Sequence, residues 1–128
     1  PQDNKTAVKW YILAAEQGHA KAQFNLGVMY RNGYGIPQDY NAAVKWYTLA
    51  AEQGHAEAQF NLGFRYAKGE GVLQDNIYAH MWFDIAASLG NENASENREI
   101  IAKRMTPADI SKARQLAREC VAKDYKEC

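Results

Sequence analysis

Residues 43–63 read AVKWYTLAAEQGHAEAQFNLG, and residues 7–27 read AVKWYILAAEQGHAKAQFNLG. Laid over each other in full, residues 1–36 and 37–72 are identical at 25 positions. Residues 73–108 keep the same phase with fewer identities, and all nine glycines of the chain occupy equivalent positions of the period. A period between about 20 and 50 residues is typical of stacked supersecondary units, so the sequence predicts a repeat array.

Each 36-residue period predicts two helices. Residues 39–53 place small and aromatic side chains at spacings of three and four, which makes one apolar stripe of Ala43, Trp46, Tyr47, Ala50 and Ala51. A second amphipathic helix is predicted over residues 56–68, before the break at Gly69-Glu70-Gly71. Asp39 is the expected N-cap of the first of these helices, and Gly54 is its expected left-handed stop. No strand is predicted.

Two sets of residues carry predictions about packing. Gly27 and Gly63 lie inside predicted helices, where glycine costs about 1 kcal/mol relative to alanine, and they indicate a close approach of two helices. Trp10, Trp46 and Trp82 recur once per period on the apolar stripe and are predicted to lie in the core. The alternative for the tryptophans is a surface ladder of rings that binds peptides or glycans.

The repeated motifs resemble the Sel1-like (Sel-one-like) repeat family, a relative of the tetratricopeptide repeats. The matching residues are Ala56-x-Ala58-x-x-x-Leu62-Gly63-x-x-Tyr66-x-x-Gly69-x-Gly71-Val72-x-x-Asp75, preceded by Ala43-x-x-Trp46-Tyr47-x-x-Ala50-Ala51-x-x-Gly54. The resemblance implies an all-α fold, a right-handed α–α superhelix (solenoid) of about three helix pairs plus one leading helix. The third unit departs from the motif, because Asn97-Arg98-Glu99 replaces Asn-Leu-Gly.

The repeat phase divides the chain into units. Residues 1–19 are predicted to be the second helix of an incomplete unit, 20–55 and 56–91 two full units, and 92–128 a degenerate C-terminal capping unit. In the last helix Thr106 is the expected N-cap, followed by Pro107 at the first helical position and Asp109. The start within a unit, without Met, favours a fragment of a longer repeat protein. The apolar side of the first helix, at Val8, Tyr11 and Ala15, is expected to be partly uncovered, which favours self-association through this end of the chain.

The resemblance also implies a binding surface, since the first helix of each tetratricopeptide unit lines a concave groove. Asn25 and Asn61 occupy the position from which some tetratricopeptide domains hold a peptide backbone or a terminal carboxylate, and Lys21 occupies the matching basic position. A structural role for both asparagines, a buried hydrogen bond to the loop of the neighbouring unit, is the alternative. The implied groove residues are Lys21, Phe24, Asn25, Val28, Arg31 and Asn32 in one unit and Glu57, Phe60, Asn61, Phe64 and Lys68 in the next.

Composition and spacing argue against several other functions. The 15 basic residues balance the 15 acidic ones, which is unlike a nucleic-acid-binding protein, and the longest apolar run, Trp10 to Ala15, is too short to insert into a membrane. His19 and His55 lie one repeat apart, so no metal site is predicted, and no cofactor is expected. His80 and Asp84 read as an ordinary surface pair, because no nucleophile accompanies them.

The preferred prediction is a non-catalytic scaffold or adaptor that binds a partner protein or peptide on its concave helical face. The alternative is a secreted hydrolase, or a protein that binds β-lactams or cell-wall material, of the same repeat family. Cys120 and Cys128 lie eight residues apart. They can form a disulfide only if the last helix ends near Ala122 and the tail folds back, which would favour a periplasmic or secreted location; two free thiols are the alternative.

Overall fold

The computed structural model describes residues 3–128, and within them the chain forms seven α-helices and no strands. Pro1 and Gln2, which align with Pro37 and Gln38 of the next repeat, lie outside the described residues. The helices are α1 (Asn4–Glu16), α2 (Ala20–Asn32), α3 (Tyr40–Ala51), α4 (Ala56–Lys68), α5 (Asn76–Ser88), α6 (Glu92–Ala102) and α7 (Pro107–Ala122). The all-α repeat superhelix predicted from the sequence is confirmed.

The repeat determines where helices begin and end, because the capping residues recur with the same period. Asp3, Asp39 and Asp75 cap α1, α3 and α5, and each carboxylate accepts a hydrogen bond from a backbone N–H of the first turn. Gly33 and Gly69 end α2 and α4 in the left-handed conformation. The cap predicted at Thr106 is also present, with Pro107 opening α7.

Helices pack in chain order up to α6. The helix α2 packs on α3 and α4 packs on α5, so each full unit is an antiparallel pair, and α1–α2, α3–α4 and α5–α6 contacts join the units. The last helix departs from this order, because α7 packs on α5 far more closely than on α6. The third unit is therefore two helices that both cover α5 rather than a third pair of the same kind.

Gly27 and Gly63 allow the two helices of a unit to approach closely, as predicted. A Cβ atom on Gly27 would lie 2.8 Å from the ring of Tyr47, and one on Gly63 would lie 2.9 Å from the ring of Phe83. Tyr47 and Phe83 are equivalent residues of α3 and α5, and both are fully buried. The missing side chain of each glycine is thus replaced by an aromatic ring from the partner helix.

The structure corrects the prediction for the tryptophans. Trp82 is buried, with 3% of its surface exposed, and Trp46 is half-buried against the cluster that α1 and α2 form. Trp10 is 67% exposed, because no helix in residues 3–128 covers that side of α1. The exposed large apolar side chains of α1 are therefore Trp10 and Leu13, whereas Val8 and Ala15 are buried against α2.

A second correction concerns His80, which is 1% exposed rather than a surface residue. Burial lowers its pKa below the ordinary value of 6.5, although the nearby Asp84 opposes that shift. Asp84 itself forms an ion pair with Arg98 of α6 at 2.8 Å. Residues 80 and 84 thus belong to the packing of α5 against its neighbours.

Candidate partner-binding groove

The residues implied to line the groove occupy equivalent positions on α2 and α4 and differ in exposure. Lys21, Glu57 and Lys68 are exposed. The remaining members are half-buried, namely Phe24, Asn25, Val28, Arg31, Asn32, Phe60, Asn61 and Phe64. We refer to these residues, with their equivalents on α6, as the groove.

The aromatic members of the groove are anchored to the helices beneath them. Phe24 lies with its ring centroid 5.0 Å from His55, on which it stacks, and 5.9 Å from Tyr47. Phe60 lies 5.8 Å from Phe83. Part of each ring therefore belongs to the core and part faces outward.

The two asparagines differ in their partners. Asn61 Nδ2 donates to the carbonyl of Glu57 one turn earlier at 2.9 Å, and its Oδ1 accepts from Arg31 Nη1 at 3.4 Å. Asn61 thus joins α4 to α2, and within residues 3–128 its side chain forms no bond to a loop of the neighbouring unit. The half-buried side chain of Asn25 makes no hydrogen bond with any residue in 3–128.

A polar cluster underlies the groove between α2, α3 and α4. Arg65 is 4% exposed and pairs with Glu70 at 2.8 Å, while burial lowers its pKa. Tyr47 is fully buried beside Arg65 and Arg31, and burial raises its pKa. The guanidinium group of Arg65 also lies 5.1 Å from the ring of Phe64. These charges lie beneath the aromatic side chains of the groove.

The groove has an open cavity at the junction of α4, α5 and α6. Its volume is about 130 Å³. The walls are mostly apolar, with two cations and one amide, and consist of Phe64, Ala67, Lys68, Phe83, Asn97, Ile100, Ile101 and Arg104. Sequence reasoning identified Phe64 and Lys68 here, with Asn97 as the third-repeat equivalent of Asn61, and missed the others. Continuing the 36-residue phase past α6 also places Ile100 and Arg104 at groove positions.

A shallower cleft lies at the other end of the chain, between α1 and α2. Lys21 and Asn25 line it together with the exposed ring of Trp10. The groove thus has one cleft beside Lys21 and the open cavity beside Lys68 and Arg104.

His80 Nδ1 has no hydrogen-bond partner in residues 3–128, and Asp84 is bound to Arg98 rather than to His80. Both cysteines form the Cys120–Cys128 disulfide, with their Cα atoms 5.4 Å apart. No three His, Cys, Asp or Glu side chains in residues 3–128 converge as a metal site. Among these residues, none of the helices combines the length and apolar character needed to span a bilayer.

Comparison with known proteins places this geometry among helical repeat proteins. The family model described as the Sel1 repeat matches residues 1–19, 20–55 and 56–91. A search of curated proteins found no significant match.

Solved structures give close matches. The crystal structure of c5321, a protective antigen present in uropathogenic Escherichia coli strains and displaying an SLR fold, aligns with a TM-score of 0.93 at 37% identity over 98% of this chain and 28% of its own. A Sel1 repeat protein from Oxalobacter formigenes aligns with a TM-score of 0.70 at 40% identity, over 72% of this chain and 69% of its own. Helicobacter pylori cysteine rich protein B gives 0.67 at 26%, over 70% and 67%.

Proposed function

Because the chain belongs to the Sel1 repeat family, whose members are generally protein-interaction scaffolds, we propose that it is a non-catalytic scaffold that binds a partner protein segment along the groove. The segment would run across the concave face of units 20–55, 56–91 and 92–128. The chain spans 28% of the length of c5321.

One observation carries the proposal: the groove combines half-exposed aromatic rings with lysine side chains that form no ion pair within residues 3–128. In residues 3–128, Lys21 and Lys68 have no carboxylate within 4 Å. Half-exposed rings beside unpaired polar groups are typical of the surfaces that bind peptides, where rings contribute apolar area and charges select the partner.

The disulfide supports a location for this activity. A disulfide persists in an oxidising compartment and is rare in the cytosol, so we place the proposed scaffold in the periplasm or outside the cell.

The proposal is tested with peptides selected from a random library on the unaltered chain. Affinity is then measured for a charge swap within the groove, Lys21→Glu with Glu57→Lys, which leaves the net charge unchanged. The matched control is the swap Lys112→Glu with Glu119→Lys on α7, where both side chains are also exposed.

We expect the groove swap to weaken binding by about fivefold or more, with unchanged helicity, because like charges placed against a partner oppose binding. The control swap should leave affinity unchanged. Peptides that bind the groove variant normally, or that lose affinity only in the α7 control, would contradict the proposal.

A further inference from the structure

The cavity between α4, α5 and α6 has a filled counterpart one unit earlier. Subtracting one 36-residue period from its lining residues gives the junction of α2, α3 and α4. In that junction Arg31 extends from α2 to Asn61 of α4, and Arg65 is buried beside Tyr47. The two junctions are formed by equivalent helices, although α6 ends at Ala102, two residues before the position equivalent to the end of α4.

Three substitutions between the junctions account for the cavity. Ala67 stands where the earlier junction has Arg31, so the side chain that crosses between the helices is missing. Phe83 stands in the place of Tyr47, and Ile101 in the place of the buried Arg65. The polar groups of the earlier junction are thus replaced by apolar ones, while Asn97 is retained in the place of Asn61.

The remaining space is of the size of one side chain. Its floor is formed by Phe83 and Ile101, which are 1% and 4% exposed. At about 130 Å³ it is slightly smaller than the apolar cavity of roughly 150 Å³ that holds a benzene molecule. A leucine, isoleucine or methionine side chain is of a size to enter this volume.

The mouth of the cavity carries two cations without partners. Lys68 is the last residue of α4, and Arg104, in the turn after α6, is its equivalent one repeat later; in residues 3–128 neither has a carboxylate within 4 Å. No acidic side chain lines the cavity, and Glu99 of α6 pairs with Arg98 instead. Lys68 Nζ lies 5.5 Å from the ring centroid of Phe64, which holds its charge at the rim.

We propose that the cavity receives one aliphatic side chain of a partner segment, and that acidic side chains next to it in the partner bind Lys68 and Arg104. The inference rests on the proposed function and names the chemistry of the partner at one point of the groove. Because the two cations lie one repeat apart, each is expected to take its own carboxylate, one on either side of the anchoring side chain.

The test uses a defined probe rather than a selected peptide. The probe is a fluorescein-labelled nonapeptide, acetylated and amidated, with a central leucine between glutamates and aspartates. Replacing its leucine by alanine should weaken binding by about tenfold or more, since the transfer of a leucine side chain into an apolar site is worth roughly 1.5–3 kcal/mol. Replacing its acidic residues by serine should remove most of the salt dependence of binding.

Two variants of the chain test the same contacts. Ala67→Met fills the cavity with an apolar side chain that favours helix, and it should abolish the preference for leucine over alanine. Lys68→Gln with Arg104→Gln should weaken binding by about fivefold. Lys112→Gln with Arg118→Gln removes two exposed cations of α7 as the matched control and should have no effect.

Folding of each variant is checked by circular dichroism. If Ala67→Met lowers the melting temperature, Ala67→Gln replaces it, because its amide can contact Asn97 much as Arg31 contacts Asn61. Equal affinity of the leucine and alanine probes, or an unaffected Lys68 and Arg104 variant, overturns the inference.

A probe that binds only with a free terminal carboxylate also overturns it. If the library peptides depend on Lys21 and Glu57 while the acidic probe fails, the inference is wrong and the proposed function stands.

Discussion

Gly63 lies where α4 and α5 come closest, and it illustrates how one residue limits the packing of a unit. A Cβ atom there would meet the ring of Phe83 at 2.9 Å and the carbonyl oxygen of Ala79 at 3.2 Å. Gly63→Ala improves helix propensity by about 1 kcal/mol. Overpacking a tight interface costs about 1–3 kcal/mol, so we expect a net loss of stability in urea denaturation.

A double-mutant cycle separates this clash from other effects. Phe83→Leu replaces the ring that opposes Gly63 by a smaller aliphatic side chain. In that background Gly63→Ala should lower the free energy of unfolding by less than in the unaltered chain. Equal costs in both backgrounds would show that the approach of α4 to α5 is not limited by these two residues.

His55 predicts a dependence of stability on pH. Its Nδ1 accepts a hydrogen bond from the Ala58 N–H at 3.1 Å, and burial lowers its pKa below 6.5, with Lys21 acting in the same direction and Glu57 against it. Folding thus favours the neutral ring. The stabilisation is complete above about pH 6.5 and is lost as the pH falls through the folded-state pKa.

The buried His80 acts in the same direction, so the melting temperature should fall between pH 7 and pH 5. His55→Asn keeps an N-cap that does not titrate in this range, and it should reduce the dependence without removing it. A melting temperature of His55→Asn that falls as steeply as that of the unaltered chain would exclude His55 as a contributor.

At the scale of helices, the three equivalent tryptophans form a graded series on α1, α3 and α5. Replacing the buried Trp82 by alanine should cost about 3–5 kcal/mol, the usual effect of emptying a large aromatic site. Trp46→Ala should cost less, and Trp10→Ala should cost almost nothing, because that ring is already mostly in water. Free energies of unfolding in urea give the order, and any other order would contradict the packing described here.

The tail after α7 is a second feature at this scale. Lys126 Nζ donates to the Glu52 carbonyl at 2.7 Å, and the Glu127 N–H donates to the Glu52 carboxylate at 3.2 Å, which holds the tail on the end of α3. Positive φ angles occur at Asp124, Tyr125 and Glu127. Residues other than glycine adopt this conformation rarely, and it persists where surrounding contacts hold the backbone in place. The Cys120–Cys128 disulfide fastens the tail to α7.

We therefore expect reduction to lower stability by about 2 kcal/mol and to free the tail from α3. Melting with and without reductant measures the effect, and Cys120→Ser with Cys128→Ser is the control that reductant should not change. Mass spectrometry after alkylation without reduction checks the bond directly, since two alkyl adducts would show free thiols and remove the argument for an oxidising compartment.

Local signals in the sequence predicted the helices well, and neighbours in space explain the rest. The range predicted for α4, residues 56–68, is the observed one, because His55 and Gly69 mark its ends within the segment itself. The exposure of Trp10 depends on which helix lies beside α1, and the cavity depends on the length of one side chain, Arg31 or Ala67, that crosses between helices. Neither is visible in the apolar stripe of a single helix.

At the scale of the whole molecule, the two ends of the solenoid differ in character. The outer side of α7 carries Arg114, Arg118 and Glu119, all exposed, which suits a polar cap. On α1, Trp10 is 67% exposed and Leu13 is 53% exposed. The formal net charge of the chain is zero, so long-range repulsion between copies is weak.

Self-association through α1 is therefore expected at high concentration. A contact between the apolar residues of α1 and the charged outer side of α7 would bury charges without partners. The contact should therefore pair two α1 helices about a two-fold axis rather than build a head-to-tail filament. Sedimentation velocity at rising concentration should show a monomer–dimer equilibrium that Trp10→Glu with Leu13→Glu abolishes. The matched control is Leu73→Glu, since Leu73 is 90% exposed in the loop before α5 and lies away from α1. A strict monomer at millimolar concentration, or a dimer that Leu73→Glu disrupts equally, would contradict this assignment.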